Sequence, residues 1–437
     1  MELQYREKVE DVASYISTES CGRINKRKNG EMRMKKSKRI VLCVCMAVIS
    51  IFSVAGCGKG NSQDEEKELV VLTDTYLKNP ADHMADFFMK QHPNIKIHVE
   101  MLVDESAEER SADLKKWNTQ ILAGKEPDVY LLSTVSATHL YENGMEETLI
   151  KNVNKTMQSG AFASLTPYME KDPFWKDTNY NKNILEAGEY DGKQYVLPLS
   201  CQYFGLIGTE EGMIPDIDNI EALREYLINP YLFLLASAEW MQPAVDYEEG
   251  KVLFDKEKWS KFAADCIKAD IEEENYEEDS DSFTISAVEE HMSLEMKECI
   301  ALPNLNGKKI AEVEQYGAIG MSSDYKEEAY DFLMLFLNDE YEKEKQEGSS
   351  SVREFTPNSG VFLSECDGYF RENPLIFSSY QELDGAYFPT NVERFIYEEI
   401  EKIEFSETNG VAPDNLKEQC DNLANRIAEK YRMIVEE

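Results

Sequence analysis

The sequence predicts an α/β protein built on a mostly parallel sheet with helices on its faces. Two observations carry this. Three short apolar or alternating runs, "ELVVLTD" (68–74), "NIKIHVEM" (94–101) and "PDVYLLS" (127–133), have the length and pattern of strands. Between them lie stripes at helical spacing: Met84, Phe87 and Phe88, then Leu114, Trp117 and Ile121. The order β-α-β-α-β favours parallel pairing, because each helix returns the chain to the same end of the sheet.

Each element follows from its residues. "ELVVLTD" is the first strand, and Asn79-Pro80 reads as the cap and first position of the first helix. Pro93 ends that helix and turns the chain into the second strand, where Ile95, Ile97, Val99 and Met101 share one side. Gly124 closes the second helix and Pro127 opens the third strand. "KQYVLPLS" (193–200) is a strand that "CQYFGLIG" continues, and the acidic run 271–281 is a solvated loop without the glycine and ligand spacing of a calcium loop. "YGAIGM" (316–321) is a late strand. A helix from about Asp324 to Leu337 follows, with Ser322 or Ser323 as its cap and Asp324 and Glu327 at its positive end. Leu416, Cys420, Leu423, Ile427 and Ile434 mark an amphipathic closing helix over about 413–434.

The N-terminal region has a different logic. Arg33, Lys35, Lys36, Lys38 and Arg39 precede an apolar run from Ile40 to Val54, shorter than the roughly 20 residues that span a bilayer as a helix. Charged, apolar and small-residue zones in this order read as a secretory signal over 32–56, with 1–31 an extension or a misassigned start. Val54-Ala55-Gly56-Cys57 resembles the bacterial lipobox, which implies cleavage before Cys57 and two acyl chains on the Cys57 thiol. That anchor holds a protein on the outer face of a membrane, each buried methylene adding about 0.8 kcal/mol. Residues 57–68, small, polar and charged, read as a tether.

Charge excludes one partner class. The 437-residue chain has a net charge of −38; residues 1–56 carry 11 Lys/Arg and 6 Asp/Glu, leaving 35 basic and 78 acidic residues beyond them. Nucleic acid and anionic lipid both need cationic patches, so neither fits. Past Cys57 there are five cysteines, Cys201, Cys266, Cys299, Cys366 and Cys420, without CxxC pairs, which reads as buried thiols and not a disulfide framework or zinc ribbon. The chain has no GxSxG, HExxH, GxGxxG or GxxxxGK[ST], and no two of its five histidines lie three or four apart. The expectation is a protein that is not an enzyme and holds no cofactor or metal.

Six stretches then follow one pattern in order: "FFMKQHPNIKIHVEML", "WNTQILAGKEPDVYLLS", "LTPYME", "GKQYVLPLS", "DYEEGKVLFDKEKW" and "YGAIGMSSDYKEEAYDFLMLFLND". This series resembles family 1 extracellular solute-binding proteins, the lipoprotein receptors of ABC importers for sugars and oligosaccharides, over roughly residues 69–340. The resemblance implies a type II periplasmic-binding-protein-like fold of two discontinuous α/β lobes joined by hinge segments. Lobe I would be 69–201 and 302–340, and lobe II 202–301 and 341–437. It also implies a monomer that captures a carbohydrate between the lobes and presents it to ABC permease subunits. A receptor for another solute (peptide, polyamine or metal chelate), an enzyme on the same scaffold, and a sensory or structural lipoprotein are the alternatives.

A cleft for sugars needs aromatic planes for C–H faces and carboxylates, amides or hydroxyls for ring hydroxyls, and open α/β sheets place such groups at strand carboxyl ends. After the first strand come Asp74 and Tyr76, and after the third Ser133 and Thr134. Tyr203 follows the crossing strand, Trp240 lies in the second lobe, Tyr316 opens the returning strand, and Trp175 follows "DPF" on a lid. For each aromatic the competing assignment is core packing, which is the one adopted for Trp117.

Overall fold

The computed structural model describes residues 66–103, 106–135, 147–177, 180–226, 236–272, 283–288, 296–337, 374–404 and 412–436. Residues 1–56, Cys57, the tether up to residue 65, Cys366 and most of the acidic run 271–281 lie outside them. Residues 64–437 form one compact unit.

Its larger sheet begins as the alternation foretells. Strands β1 (Lys67–Thr73), β2 (Ile95–Met101) and β3 (Val129–Ser133) pair in parallel with β1 in the middle. Helices α1 (Thr75–Gln91) and α2 (Ala107–Leu122) make the two crossovers. A long strand, β12 (Ile310–Ile319), runs antiparallel to β3 and to β6 (Val196–Gln202), and β13 (Gly385–Tyr387) pairs in parallel with its first residues. The sheet is therefore mixed, because β12 returns from the other half of the molecule with opposite polarity. One face buries Val71, Leu131, Leu197 and Ile319 under α1 and α8 (Lys326–Met334). The other buries Leu72, Tyr130, Leu132 and Tyr316 under α2, with Trp117, and α3 (Val153–Gln158). Each such side chain contributes about 1.5–3 kcal/mol on leaving water.

The smaller sheet has β7 (Phe204–Gly208) between β10 (Thr284–Ala287) and β11 (Glu298–Ala301), all antiparallel. One face packs on α7 (Lys256–Glu272), α10 (Asn391–Glu404) and α11 (Leu416–Glu436) around Trp240, Trp259 and Phe262. The other, with Ile207, Val288 and Cys299, meets α9 (Pro374–Gln381). Three described segments join the two sheet systems: β6 into β7 at Tyr203, β11 into β12 through residues 302–309, and β13 into α10 through residues 388–390. Among the described residues no helix is long and apolar enough to cross a membrane, and Cys201, Cys266, Cys299 and Cys420 are buried.

Several expectations are corrected. Helix α1 starts at Thr75, with Asp74 at its N-cap and Pro80 inside. A proline one turn in forfeits one backbone bond near an end where several N–H groups lack helical partners anyway. Strand β12 starts six residues before Tyr316. "CQYFGLIG" does not continue one strand: the chain leaves the larger sheet at Tyr203 and enters the smaller one. Helix α8 begins at Lys326, two residues late, since Ser323 is engaged in a turn, accepting from the Tyr325 N–H (3.1 Å) and donating to Asp128 (2.5 Å). Strand β13, within the stretch assigned to lobe II, pairs with β12 at the edge of the larger sheet.

Candidate functional site

The carboxyl ends of β1 and β3 meet the middle of β12 and the end of β6 along one rim of the larger sheet. Backbone register fixes this meeting: Gln315 of β12 lies opposite Ser133 of β3 on one side and Ser200 of β6 on the other. Asp74, immediately after β1, completes the row, because its Oδ2 accepts the backbone N–H of Ser133.

The polar atoms of this row are buried and have few protein partners. Asp74 Oδ1, Ser133 Oγ, Ser200 Oγ, Gln315 Oε1 and the Tyr316 hydroxyl oxygen are all out of contact with solvent and lack a hydrogen bond from the protein. Asp74 is 6 % exposed and does not cap α1 with its side chain. Burial pushes its carboxyl above the ordinary aspartate value, opposed by the Ser133 hydrogen bond and by the Arg110 charge. Arg110 is itself held by the Glu147 carbonyl at 2.9 Å and the Val103 carbonyl at 3.2 Å. Burial, and then the Asp74 charge, raises the Tyr316 hydroxyl well above the usual tyrosine range. The Tyr316 ring packs edge-on against Phe388 at 5.7 Å. Two oxygen acceptors and three hydroxyl groups able to donate or accept thus lie near this end of the sheet, Tyr316 on the face that packs with Leu72, Tyr130 and Leu132, a set complementary to a polyhydroxyl solute.

The other expected residues divide. Thr134 borders the row, but its hydroxyl donates to the Val313 carbonyl at 2.6 Å, and its N–H to Glu314 O at 2.7 Å, so it ties β3 to β12. Tyr76 is in the first turn of α1, and its side chain lies outside what is described. Tyr203 is 1 % exposed, its hydroxyl hydrogen-bonded to Ser379 Oγ at 2.7 Å. Trp240, equally buried, packs edge-on to Phe262 at 4.9 Å in the core of the second lobe. Trp175 stacks on Tyr180 at 4.3 Å, against the sheet face that carries α1. The structure therefore brings Asp74, Ser133, Thr134 and Tyr316 together and leaves Tyr203, Trp240 and Trp175 elsewhere. Gln315 and Ser200 were missed. Ser200 carries a signal in hindsight, as the polar residue that breaks the apolar run of "VLPLS".

No family model and no curated protein matches the sequence. Solved structures do match. The sugar-binding protein MalE from Xanthomonas citri is 12 % identical, with a TM-score of 0.56, covering 85 % of this chain and 100 % of that one. A family 1 extracellular solute-binding protein from Alicyclobacillus acidocaldarius is 11 % identical, with a TM-score of 0.55 over 86 % of this chain and 100 % of that one. An ABC substrate-binding protein from Listeria monocytogenes, solved in complex with cycloalternan, is 16 % identical, with a TM-score of 0.50 over 84 % and 99 %. The chain has the two-lobed fold of the extracellular solute-binding proteins. At these identities the likeness is one of fold, and function must be argued from the site.

Proposed function

We propose that this chain is a lipid-anchored extracellular solute-binding protein that captures a carbohydrate between its lobes and delivers it to an ABC importer. The observation that carries the reading is the row Asp74, Ser133, Gln315, Ser200 and Tyr316. It sets buried, unpartnered oxygen groups beside the carboxyl ends of β1, β3 and β6, the kind of place where open α/β folds bind ligands. Structural neighbours include a sugar-binding protein and a receptor solved with cycloalternan, which supports a carbohydrate as the solute. In this reading Asp74 and Gln315 accept hydroxyl protons, and Ser133, Ser200 and Tyr316 complete the polar contacts from lobe I. Groups of the second lobe engage only on closing, so the solute shifts the hinge equilibrium by its differential affinity for the shut form. Permease subunits read that form, and the diacylated Cys57 keeps the receptor beside them.

The test is a thermal-shift screen of residues 64–437 against mono- and oligosaccharides, with peptides, polyamines and metal ions alongside. A ligand at about 100 times its dissociation constant stabilises by about 2.7 kcal/mol. A shift with one saccharide class, lost in Gln315→Ala, supports the reading. A shift confined to polyamines, which the Asp74 carboxylate and the acidic balance would suit, keeps the site and changes its solute. Silence across the plate returns the sensory or structural role.

A further inference from the structure

Of the three segments that carry the chain between the lobes, two meet a common buried network in lobe II. Asn304 is on the second segment (302–309) and Thr390 on the third (388–390). Between them lie Gln242, just after the short turn Ala236–Ala238, Glu393 in the first turn of α10, and Tyr431 of α11; all five residues are buried. Asn304 Nδ2 donates to the Gln242 carbonyl at 2.6 Å. The Gln242 side-chain amide in turn donates to Glu393 Oε1 at 3.0 Å, and the Tyr431 hydroxyl donates to the same oxygen at 2.8 Å. Thr390 completes the carboxylate: its N–H and its hydroxyl both donate to Glu393 Oε2, each at 2.6 Å.

We propose that Glu393 latches the second and third segments into one strap, so that they bend as a single element when the lobes move. A carboxylate held by neutral donors in a dry site makes charge-assisted hydrogen bonds, about twice as strong as neutral ones. Loosening any of the four leaves a buried charge short of a partner, which costs more than a neutral bond. Moving Thr390 away from lobe II therefore disturbs the oxygens that fix Gln242, and through the Gln242 carbonyl it disturbs Asn304. Neither segment leaves its place without loosening bonds that secure the other.

The opposite ends of the two segments are tied as well. Ile310, Ala311 and Glu312 of β12 pair with Gly385, Ala386 and Tyr387 of β13, and the Tyr387 hydroxyl donates to Glu312 Oε2 at 2.7 Å. Next to this ladder the Asp384 N–H donates to the Lys309 carbonyl at 2.7 Å, and the Lys309 N–H to Asp384 Oδ2 at 3.0 Å. The segments thus leave the larger sheet side by side and reach lobe II on one network. Each carries amides that report on the latch. Asn304 Oδ1 accepts the N–H groups of Asn306 at 2.9 Å and Lys308 at 3.1 Å, so the side chain that reaches Gln242 also holds its own turn. On the third segment Thr390 Oγ1 accepts the Val392 N–H at 3.2 Å.

The strap needs no solute to exist, so it can fail without touching the proposed function, and the reverse. Amide hydrogen exchange of residues 64–437, resolved over both segments, is the test. Glu393→Gln puts a donor where an acceptor is needed. Exchange at Asn306 and Lys308, on the other segment, should then rise about tenfold, the effect of losing one hydrogen bond to a charged group, while the amides of β7 in the same lobe keep their rates. Coupling is reciprocal, so Asn304→Ala should speed exchange at Thr390 and Val392 in the same way; that variant decides the matter should Glu393→Gln fail to fold. Acceleration confined to residues 388–393 in Glu393→Gln, or to 302–309 in Asn304→Ala, overturns the proposal. So does an equal rise across β7, which would make Glu393 a support of the whole lobe and not a latch between two segments.

Discussion

Replacing Trp240 by alanine separates a side chain that builds the second lobe from one that would touch solute. The indole is 1 % exposed and touches two other large rings, Phe262 edge-on at 4.9 Å and Trp259 at 5.9 Å, in the cluster that joins the smaller sheet to α7, α10 and α11. Removing it deletes the transfer energy of the ring and leaves a cavity that neighbours held by three helices cannot fill, at a cost of about 3–5 kcal/mol. For a large domain each kcal/mol moves the melting temperature by roughly 2 °C, so the midpoint should fall by about 6–10 °C. The fall should be equal with and without saccharide, and the ligand-induced increment should survive. Differential scanning fluorimetry of residues 64–437 reads both quantities. An unchanged midpoint together with a lost increment would show that Trp240 stands at the cleft surface, and the packing argument would be wrong.

Other perturbations follow from the same contacts. Asp74→Asn keeps an oxygen for the Ser133 N–H but removes the buried charge. Burial raises the Asp74 carboxyl, so its ionised form costs stability above the raised value, a cost that disappears as the pH falls toward the ordinary one. The variant should melt no lower than the native protein at pH 7 and lose any advantage below about pH 4, while its response to solute drops, all by fluorimetry. Tyr203→Phe forfeits the hydroxyl bond to Ser379 and leaves that Oγ its bond to the Ile376 carbonyl at 2.9 Å. About 1 kcal/mol lost in denaturant titration, with solute affinity unchanged in calorimetry, is the expected result. Gly188→Ala would put its Cβ 1.8 Å from the Val196 carbonyl oxygen, a backbone atom that no rotamer change moves. The entry into β6 must shift, at a cost of at least about 2 kcal/mol, seen as a lowered melting midpoint.

The parallel core of lobe I was legible because its signals are local: period-two runs for β1 and β2, stripes for α1 and α2, and Gly124 closing a helix at φ +71°. Strand β12 was half legible. Its apolar end reads as a strand, but "AEVEQ" carries Glu312, Glu314 and Gln315 into the sheet, and their place depends on partners about 110 to 180 residues earlier in the chain. Strand β13 has three residues and no periodicity, so only its pairing with Ile310 to Glu312 makes it a strand. Asp74 and Ser133 meet because strand ends can be read, whereas Tyr316, read as the opening of a strand, lies inside β12. Tyr203 and Trp240 were placed in the site because an aromatic on a stacking surface and an aromatic in a core look alike in sequence; their neighbours decide the matter. Gln315 and Ser200 become visible only when register sets them in line with Ser133.

The contrast between Tyr203 and Tyr316 shows why that row is read as a binding surface and not as part of the core. Both rings are 1 % exposed. The Tyr203 hydroxyl has Ser379 as its partner, as a buried phenol should, whereas the Tyr316 hydroxyl has none from the protein and neither have four other oxygens along the same rim. An unsatisfied buried group costs about 1–3 kcal/mol, so five together would consume about 5–15 kcal/mol, as much as the whole stability of a typical domain. Water or solute oxygen completing these bonds would relieve that cost, as water would for the indole N–H groups of Trp240 and Trp259, which are likewise buried without a partner. A rim completed from outside, on a two-lobed scaffold, gains most from a molecule bearing several hydroxyls at once.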